Sequence, residues 1–163
     1  MDTTRFFDYP DGGAAAGPDD ADFLAAAGDD DWAVILEHGQ TRRYAAGAQL
    51  LGTGETDRAL FVVLAGTLEA RPEGRRGTRR RAAPRAVSYP AGAVLGERAF
   101  LEGRPFESPV VAVTVAEVLR LGLTEFEVLA AKDPALGRYL LFDLARVLAA
   151  RADRLLAIAG PER

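Results

Sequence analysis

Residues 94–113 read Val-Leu-Gly-Glu-Arg-Ala-Phe-Leu-Glu-Gly-Arg-Pro-Phe-Glu-Ser-Pro-Val-Val-Ala-Val. The glycine at position 96 belongs to a series, because glycines also stand between short apolar segments at positions 47, 52, 54, 66 and 92. Glycine suits tight turns, since it adopts backbone conformations that other residues avoid. The stretch therefore lies in a region of short segments joined by tight turns.

The segments around this stretch show apolar residues with a period of two, which is typical of β-strands. Six short strands are predicted, at residues 49–51, 59–64, 67–70, 86–89, 110–113 and 117–121. Many short strands with even turn spacing indicate an antiparallel sandwich or roll. The predicted fold class is mainly β with flanking helices, a jelly-roll-like antiparallel β-roll.

The chain divides into an acidic tail, residues 1–20, and a single domain, residues 21–163. The tail is rich in Asp, Gly, Ala and Pro and has no periodicity, so we expect it to be flexible. Apolar residues recur at helical spacing over residues 21–38, which predicts short N-terminal helices, with Asp31 as the N-cap of the second.

A long C-terminal helix is predicted over about residues 134–158. Asp133-Pro134 matches a helix start, with proline in the first position, and Gly160-Pro161 matches a helix end. Ahead of it, Thr124-x-x-Glu127 matches a capping box that would begin a shorter helix.

Composition excludes several function classes. The chain has no cysteine, so disulfides, thiolate metal sites and iron–sulfur clusters are excluded. His38 is the only histidine, which argues against a histidine-rich metal site and histidine-based catalysis. No apolar run approaches the roughly 18 residues of a transmembrane helix, and no signal pattern opens the chain. We expect a cytoplasmic, non-enzymatic protein that does not contact a membrane.

The N-terminal segment, residues 1–37, is acidic and contains a short aromatic motif. It has ten acidic residues and one arginine, whereas the remainder of the chain has a net charge of +5. The acidic segment either keeps the protein soluble or folds over the basic remainder. Within it, Phe6, Phe7 and Tyr9 are three aromatic residues in four positions. They pack on their own domain or dock on a partner protein.

The order of these motifs resembles the β-roll of cyclic-nucleotide-binding domains of the Crp/Fnr type. The similarity is carried by residues 44–51, 54–69 and 89–97 together with residues 94–113, and it runs from about residue 21 to about residue 158. The phosphate-binding cassette of that family opens with Gly-Glu, runs through a short helix and closes about ten residues later with Arg followed by Ser, Thr or Ala. In this chain Gly96, Glu97 and Ser108 match the pattern, but Glu107 stands at the arginine position.

The resemblance implies a role for each part of the cassette. Glu97 would accept a hydrogen bond from the ribose 2′-hydroxyl, and the short helix that includes Arg98 and Ala99 would offer backbone N–H groups to the phosphate. Glu107 removes a charge-assisted contact worth about 1.5–3 kcal/mol. It also adds repulsion of up to about 4 kcal/mol, and Pro109 removes a further N–H. Ordinary binding of cAMP or cGMP is therefore disfavoured by on the order of a hundredfold.

Three interpretations of Glu107 follow. In the first, the pocket is vestigial and Glu107 is a surface or core-edge residue. In the second, Glu107 stands in for the phosphate and pairs with Arg98 or Arg104. In the third, one of these two arginines supplies the missing charge and a nucleotide or other small anion still binds. No cofactor is predicted, and a cyclic nucleotide is only a candidate ligand. Seven residues would line the pocket: Gly96, Glu97, Arg98, Ala99, Arg104, Glu107 and Ser108.

The C-terminal helix carries a candidate dimer seam. Its residues are spaced as in a coiled coil: Leu140, Leu144, Val147 and Arg151. Proteins of the resembled family dimerise along this helix, so we expect a homodimer; the alternative is a helix packed wholly on its own roll. The sequence shows no helix-turn-helix after the helix, and sequence-specific DNA binding is not expected.

A basic segment, residues 71–85, joins two predicted strands, and seven of its fifteen residues are arginine. It is either a solvated loop or a docking site for an acidic partner. The central candidates are Arg75, Arg76, Arg79, Arg80 and Arg81. We predict a regulatory or protein-interaction module with a degenerate pocket; the alternative is a sensor of a cyclic nucleotide or another small anion that uses Glu97 with Arg98 or Arg104.

Overall fold

The computed structural model describes residues 23–71 and 86–159. Within these residues the elements follow in chain order: α1 (Asp29–His38), β1 (Gln40–Tyr44), β2 (Gln49–Leu51), β3 (Ala59–Ala65), β4 (Thr67–Ala70), β5 (Val87–Pro90), β6 (Val94–Leu95), α2 (Glu97–Glu102), β7 (Val110–Ala112), β8 (Ala116–Gly122), α3 (Leu123–Lys132) and α4 (Pro134–Ala159).

The strands form two antiparallel four-stranded sheets. One has the order β1-β8-β3-β6 and the other the order β2-β7-β4-β5. In the first sheet, β3 and β8 pair along their length, with Val62 opposite Leu119. The predicted β-roll with flanking helices and a long C-terminal helix is confirmed.

The first sheet separates two apolar cores, which explains why β3 is a continuous apolar run. Ala59, Phe61 and Val63 belong to the core between the sheets. Leu60 and Val62 point to the other face and pack against the helices. A strand that is buried on both faces loses the polar alternation of a surface strand. The helices therefore cover one face of the roll, and a cavity lies between the two sheets at each pair of edge strands.

The six predicted strands are all present, and none of their ends differs from the prediction by more than one residue. Two further strands escaped prediction. β1 reads Gln-Thr-Arg-Arg-Tyr, and four of its five residues are exposed at a sheet edge, so it has no apolar signal. β6 has only two residues, both buried, which is too short for a period to register.

The predicted N-terminal caps are corrected in two places. α1 begins at Asp29, so Asp31 is not an N-cap: it lies in the first turn and its Oδ2 accepts a hydrogen bond from the Gly28 backbone N–H at 3.0 Å. Residues 23–26 form a turn, and α1 is the only helix ahead of β1 in the described residues. α3 begins at Leu123, so Thr124 already lies inside the helix and its hydroxyl does not cap the helix start.

The start of the long helix α4 agrees with the prediction, whereas Gly160 and Pro161, which the sequence assigned to its end, lie outside the described residues. The helix spans Pro134–Ala159, and the Asp133 Oδ1 accepts a hydrogen bond from the Leu136 N–H at 3.0 Å, as an N-cap does. The helix also holds the N-terminal end of the described chain, because the buried Asp143 Oδ2 accepts a hydrogen bond from the Leu24 N–H at 2.6 Å. None of the helices in the described ranges is long and apolar enough to span a bilayer.

Candidate functional site

A cavity of about 360 Å³ opens at the edge of the roll where β5 and β6 end their sheets. Its walls are β5, β6, α2 and the segment that connects α2 to β7. All seven residues that the sequence placed in a pocket line this one cavity: Gly96, Glu97, Arg98, Ala99, Arg104, Glu107 and Ser108. The size lies at the lower end of the range for small-molecule pockets.

Gly96 sets the position of the short helix at the cavity wall. Its φ is +90°, and a Cβ at this position would lie 2.5 Å from the Ala59 carbonyl oxygen and 3.0 Å from the Phe61 ring. Only glycine accepts both the left-handed conformation and the close approach of β3. Glu97 follows directly as the first residue of α2.

Two contacts hold α2 against the body of the roll. Phe100 is buried and its ring meets the Phe126 ring edge-on, with centroids 5.4 Å apart. At the C-terminal end of α2, the Arg58 Nη2 donates hydrogen bonds to the carbonyl oxygens of Phe100 and Leu101 at 3.0 and 3.4 Å. A cation that binds the last carbonyls of a helix complements their partial negative charge. Arg58 was not predicted as part of the site.

Glu97 forms an ion pair with Arg151 of the C-terminal helix α4. The Arg151 Nη1 lies 2.7 Å from the Glu97 Oε1, and the Arg151 Nη2 donates a hydrogen bond to the Val94 carbonyl oxygen. The Arg151 guanidinium carbon lies 5.7 Å from the centre of the Tyr89 ring. Both charged side chains are largely shielded from solvent, with exposures of 17% for Arg151 and 18% for Glu97. The carboxylate that the family resemblance assigns to the ribose therefore binds an arginine of this chain through one of its oxygens.

Glu107 lies at the rim of the same cavity in a different environment. The Arg98 Nη1 is 3.1 Å from the Glu107 Oε1, and these side chains are 53% and 71% exposed. Arg104 pairs with Glu102 at 3.2 Å, also at the surface. Of the two arginines that were considered as partners of Glu107, the structure selects Arg98.

The residues assigned to a dimer seam are corrected by their burial. Leu140, Leu144 and Val147 are each 1% exposed and belong to the core between the helices and the roll. Arg151 continues the same stripe of α4 and contacts Glu97 at the wall of the cavity. A partner helix would therefore contact another face of α4, and the existence of a homodimer stays a prediction.

Several predicted residues lie outside the described residues. They comprise the tail aromatics Phe6, Phe7 and Tyr9 and the basic-segment arginines Arg75, Arg76, Arg79, Arg80 and Arg81. His38, the only histidine of the chain, lies at the end of α1, where its Nδ1 is 2.8 Å from the Val34 carbonyl oxygen. No group of His, Asp and Glu side chains suited to a metal ion occurs in residues 23–71 and 86–159.

A second cavity, of about 420 Å³, opens at the opposite edge of the roll, between β1 and β2. Arg120 of β8 donates two hydrogen bonds to the Asp57 carboxylate there, from Nε to Oδ2 at 2.7 Å and from Nη2 to Oδ1 at 2.6 Å. The hydrogen bond to Asp57 raises the pKa of the Arg120 guanidinium, and partial burial opposes that rise. This bidentate pair fixes the connection between β2 and β3.

The architecture defines the class of protein. It is an antiparallel β-roll in which the short helix α2 forms one wall of an edge cavity and the long helix α4 packs against the roll. The family model described as "Cyclic nucleotide-binding domain" matches residues 41–133, which is more than half of the chain. The chain belongs to this family. No curated protein matches it.

Solved structures share the fold at low sequence identity. A cyclic nucleotide-binding domain from Methylobacillus flagellatus is 24% identical, with a TM-score of 0.67, over 83% of this chain and 76% of its own. The N-terminal domain of a transcriptional regulator from Streptomyces coelicolor is 22% identical, with a TM-score of 0.64, over 86% and 95%. The Catabolite Activator Protein of Thermus thermophilus is 23% identical, with a TM-score of 0.65; the match covers 84% of this chain but 62% of that one.

Proposed function

We propose that this protein is a non-enzymatic regulatory module that works through contact with another protein and does not bind cAMP or cGMP in the usual way of its family. The observation that carries this proposal is the Glu97–Arg151 ion pair, at 2.7 Å in a shielded position. A ribose hydroxyl that approaches Glu97 meets a carboxylate that already binds a guanidinium through Oε1, and a neutral hydroxyl is the weaker partner for a carboxylate.

The phosphate end of the cassette supports the same conclusion. Glu107 carries a negative charge at the rim where the family places an arginine, and Arg98 is 3.1 Å from it. Each arginine of the cassette faces an acidic neighbour, since Arg104 lies 3.2 Å from Glu102. An incoming phosphate therefore meets a carboxylate beside each arginine, and the negative charge of that carboxylate offsets part of the attraction of the arginine.

The test is isothermal calorimetry and thermal shift of the full chain with a panel of cyclic mono- and dinucleotides. We expect no saturable response at micromolar concentration. Glu107→Arg is the matched gain-of-function variant, since it restores the cation at the rim, and we expect it to strengthen cAMP or cGMP affinity by at least tenfold. A micromolar response of the wild-type protein would overturn the proposal, and no gain in the variant would count against the role assigned to position 107.

A second candidate function is a sensor of a small anionic ligand. It is favoured by the position of Arg98 and Arg104, which both line the cavity with Glu97. Such a ligand would have to recruit an arginine from an exposed pair, which costs little because exposed ion pairs contribute about 0–1 kcal/mol. The same calorimetric panel, extended to inorganic phosphate, separates this candidate: saturable binding lost in Arg98→Ala or Arg104→Ala would support it.

We also propose a homodimer, through a face of α4 that differs from the one predicted. Leu141, Ala145 and Ala152 are exposed, as is Leu155, which is 69% exposed. With Leu148 they repeat at intervals of four and three, as a coiled-coil seam does. The alanines would allow two helices to approach closely. We expect a second copy of this chain to cover this face.

Ala145→Glu tests the dimer, because it places a charge in the middle of the proposed seam. We expect sedimentation equilibrium to show a dimer for the wild-type protein and a monomer for the variant, with an unchanged circular dichroism spectrum. Ala131→Glu, at an exposed position of α3, is the control and should leave the dimer intact. A monomeric wild-type protein would contradict the proposal. A cytoplasmic location and the lack of sequence-specific DNA binding stay predictions.

A further inference from the structure

Three groups of different chemistry converge on the Arg151 guanidinium. They are the Glu97 carboxylate at 2.7 Å, the Val94 carbonyl oxygen and the face of the Tyr89 ring, 5.7 Å from the guanidinium carbon. A carboxylate and a carbonyl accept hydrogen bonds from a planar fork of N–H donors, and an aromatic face attracts a cation. Together they form a receptor for a guanidinium group.

The charge at this receptor agrees with this chemistry. Glu97, which is 18% exposed, contributes a carboxylate, whereas the acidic and basic side chains at the rim of the cavity pair with each other. A carboxylate attracts a cation. The negative charge at the inner end of the cassette therefore favours a basic ligand at the position that Arg151 occupies.

Arg151 holds the C-terminal part of α4 to the roll through these contacts. From Ala152 to Ala157 every side chain is exposed, including Leu156 at 71%. The contacts of Arg151 with the roll are polar, whereas Leu140, Leu144 and Val147 are buried in the apolar core. The end of α4 can therefore move away from the roll without exposing that core. Such a movement would remove the Arg151 guanidinium from the receptor.

We propose that this receptor binds an arginine side chain of a partner protein, which takes the place of Arg151 on Glu97, Val94 and Tyr89. Arg151 is then the internal occupant of the receptor in the absence of the partner. Exchange of one guanidinium for another leaves the contacts within the pocket unchanged, so the partner needs further contacts elsewhere to compete with Arg151. The inference rests on the proposed function, since it names the chemical feature of the partner that the module recognises.

The test uses the full chain with Arg151→Ala, which empties the receptor, and N-acetyl-arginine amide as the ligand. We expect this compound to raise the melting temperature of the variant in a saturable manner. N-acetyl-lysine amide carries the same charge without the planar fork, and we expect its half-saturating concentration to be at least tenfold higher. The double variant Glu97→Gln/Arg151→Ala should lose the preference for arginine.

Equal responses to the arginine and lysine compounds, or an arginine preference that survives in the double variant, would overturn the inference. Because Arg151→Ala lowers stability, the wild-type protein provides a second measurement. Saturating arginine amide should increase hydrogen exchange of the amides in residues 152–159 at least several-fold more than lysine amide does. No difference between the two compounds in either measurement would also overturn it.

The outcomes separate this inference from the proposed function. Binding of arginine amide without binding of cyclic nucleotides supports both. Binding of neither compound overturns the arginine receptor and leaves the proposed function standing. Micromolar binding of a cyclic nucleotide to the wild-type protein overturns the proposed function, and the lysine and double-variant controls still decide the arginine receptor.

Discussion

The two acidic residues of the cassette, Glu97 and Glu107, lie on one cavity but in opposite environments. Glu97 is 18% exposed and binds an arginine from a helix 54 residues further along the chain. Glu107 is 71% exposed and binds Arg98 at the surface. The inner end of the cassette is thus part of the packed fold, whereas the rim is a solvated loop. A family motif can persist for structural reasons at one end while its charge is inverted at the other.

The two ends of the cassette differ in how much stability a substitution costs, which explains why one end keeps the family motif and the other does not. At the inner end, the backbone of Gly96 packs on β3 and Glu97 satisfies a shielded guanidinium, so a change there disturbs several contacts. At the rim, the charge of residue 107 is solvated, and exposed ion pairs contribute about 0–1 kcal/mol. The charge of the rim can therefore change its sign without loss of the fold.

Gly96→Ala should have the largest effect on the free energy of unfolding. The alanine would have to adopt φ near +90° and its Cβ would meet the Ala59 carbonyl oxygen. We expect a loss of about 3 kcal/mol in chemical denaturation. Gly47→Ala is the matched control: its φ is +83°, but no atom lies within 4 Å of the added Cβ, so only the strain of about 1 kcal/mol remains. Equal losses would show that β3 does not constrain the cassette.

Glu97→Gln should have the next largest effect. It leaves the Arg151 guanidinium in a shielded position without its carboxylate, and hydrogen bonds between charged groups contribute about 1.5–3 kcal/mol. We expect the free energy of unfolding to fall by about 2 kcal/mol and hydrogen exchange at the end of α4 to increase. An unchanged exchange rate would mean that Glu97 does not hold the helix.

The sequence predicted the environment of Glu107 at the rim of the cavity better than that of Glu97 at the inner end. The strands followed from the period of two and the glycine turns, and the seven cassette residues do share a cavity. The contact with Arg151 did not follow, although its stripe on α4 was recognised. Helical periodicity identifies which residues share a face, but it does not say whether that face meets its own roll or a second copy.

The same limit explains the strands that were missed. β1 is a polar edge strand, and its partner β8 is distant in the sequence, so the pairing of Arg42 with Val118 leaves no local pattern. Asp57 and Arg120 likewise meet across 63 residues. Contacts between distant polar residues are set by the tertiary fold, and a single sequence contains no signal for them.

Arg58→Met should have a smaller effect than Glu97→Gln and should act on α2. The variant keeps most of the side-chain length but removes the donor to the Phe100 and Leu101 carbonyl oxygens. A favourable cation at a helix C-terminus contributes about 0.3–1 kcal/mol. We expect a loss in this range, with increased hydrogen exchange confined to α2 and the loop after it. A loss as large as that of Glu97→Gln would mean that α2 depends on Arg58 more than on its buried Phe100.

Glu107→Gln should have the smallest effect on stability, and it is the sharpest test of the contrast with Glu97. It removes the same charge by the same substitution, but from a pair whose side chains are 53% and 71% exposed. We expect a change below about 0.5 kcal/mol at moderate salt, because solvent screens the pair. If instead the two Glu→Gln variants lose equal stability, Glu107 is a structural residue and the rim is not freely exchangeable. The inverted charge would then serve the fold rather than ligand choice, because Arg98 would need it to hold the start of α2 in place.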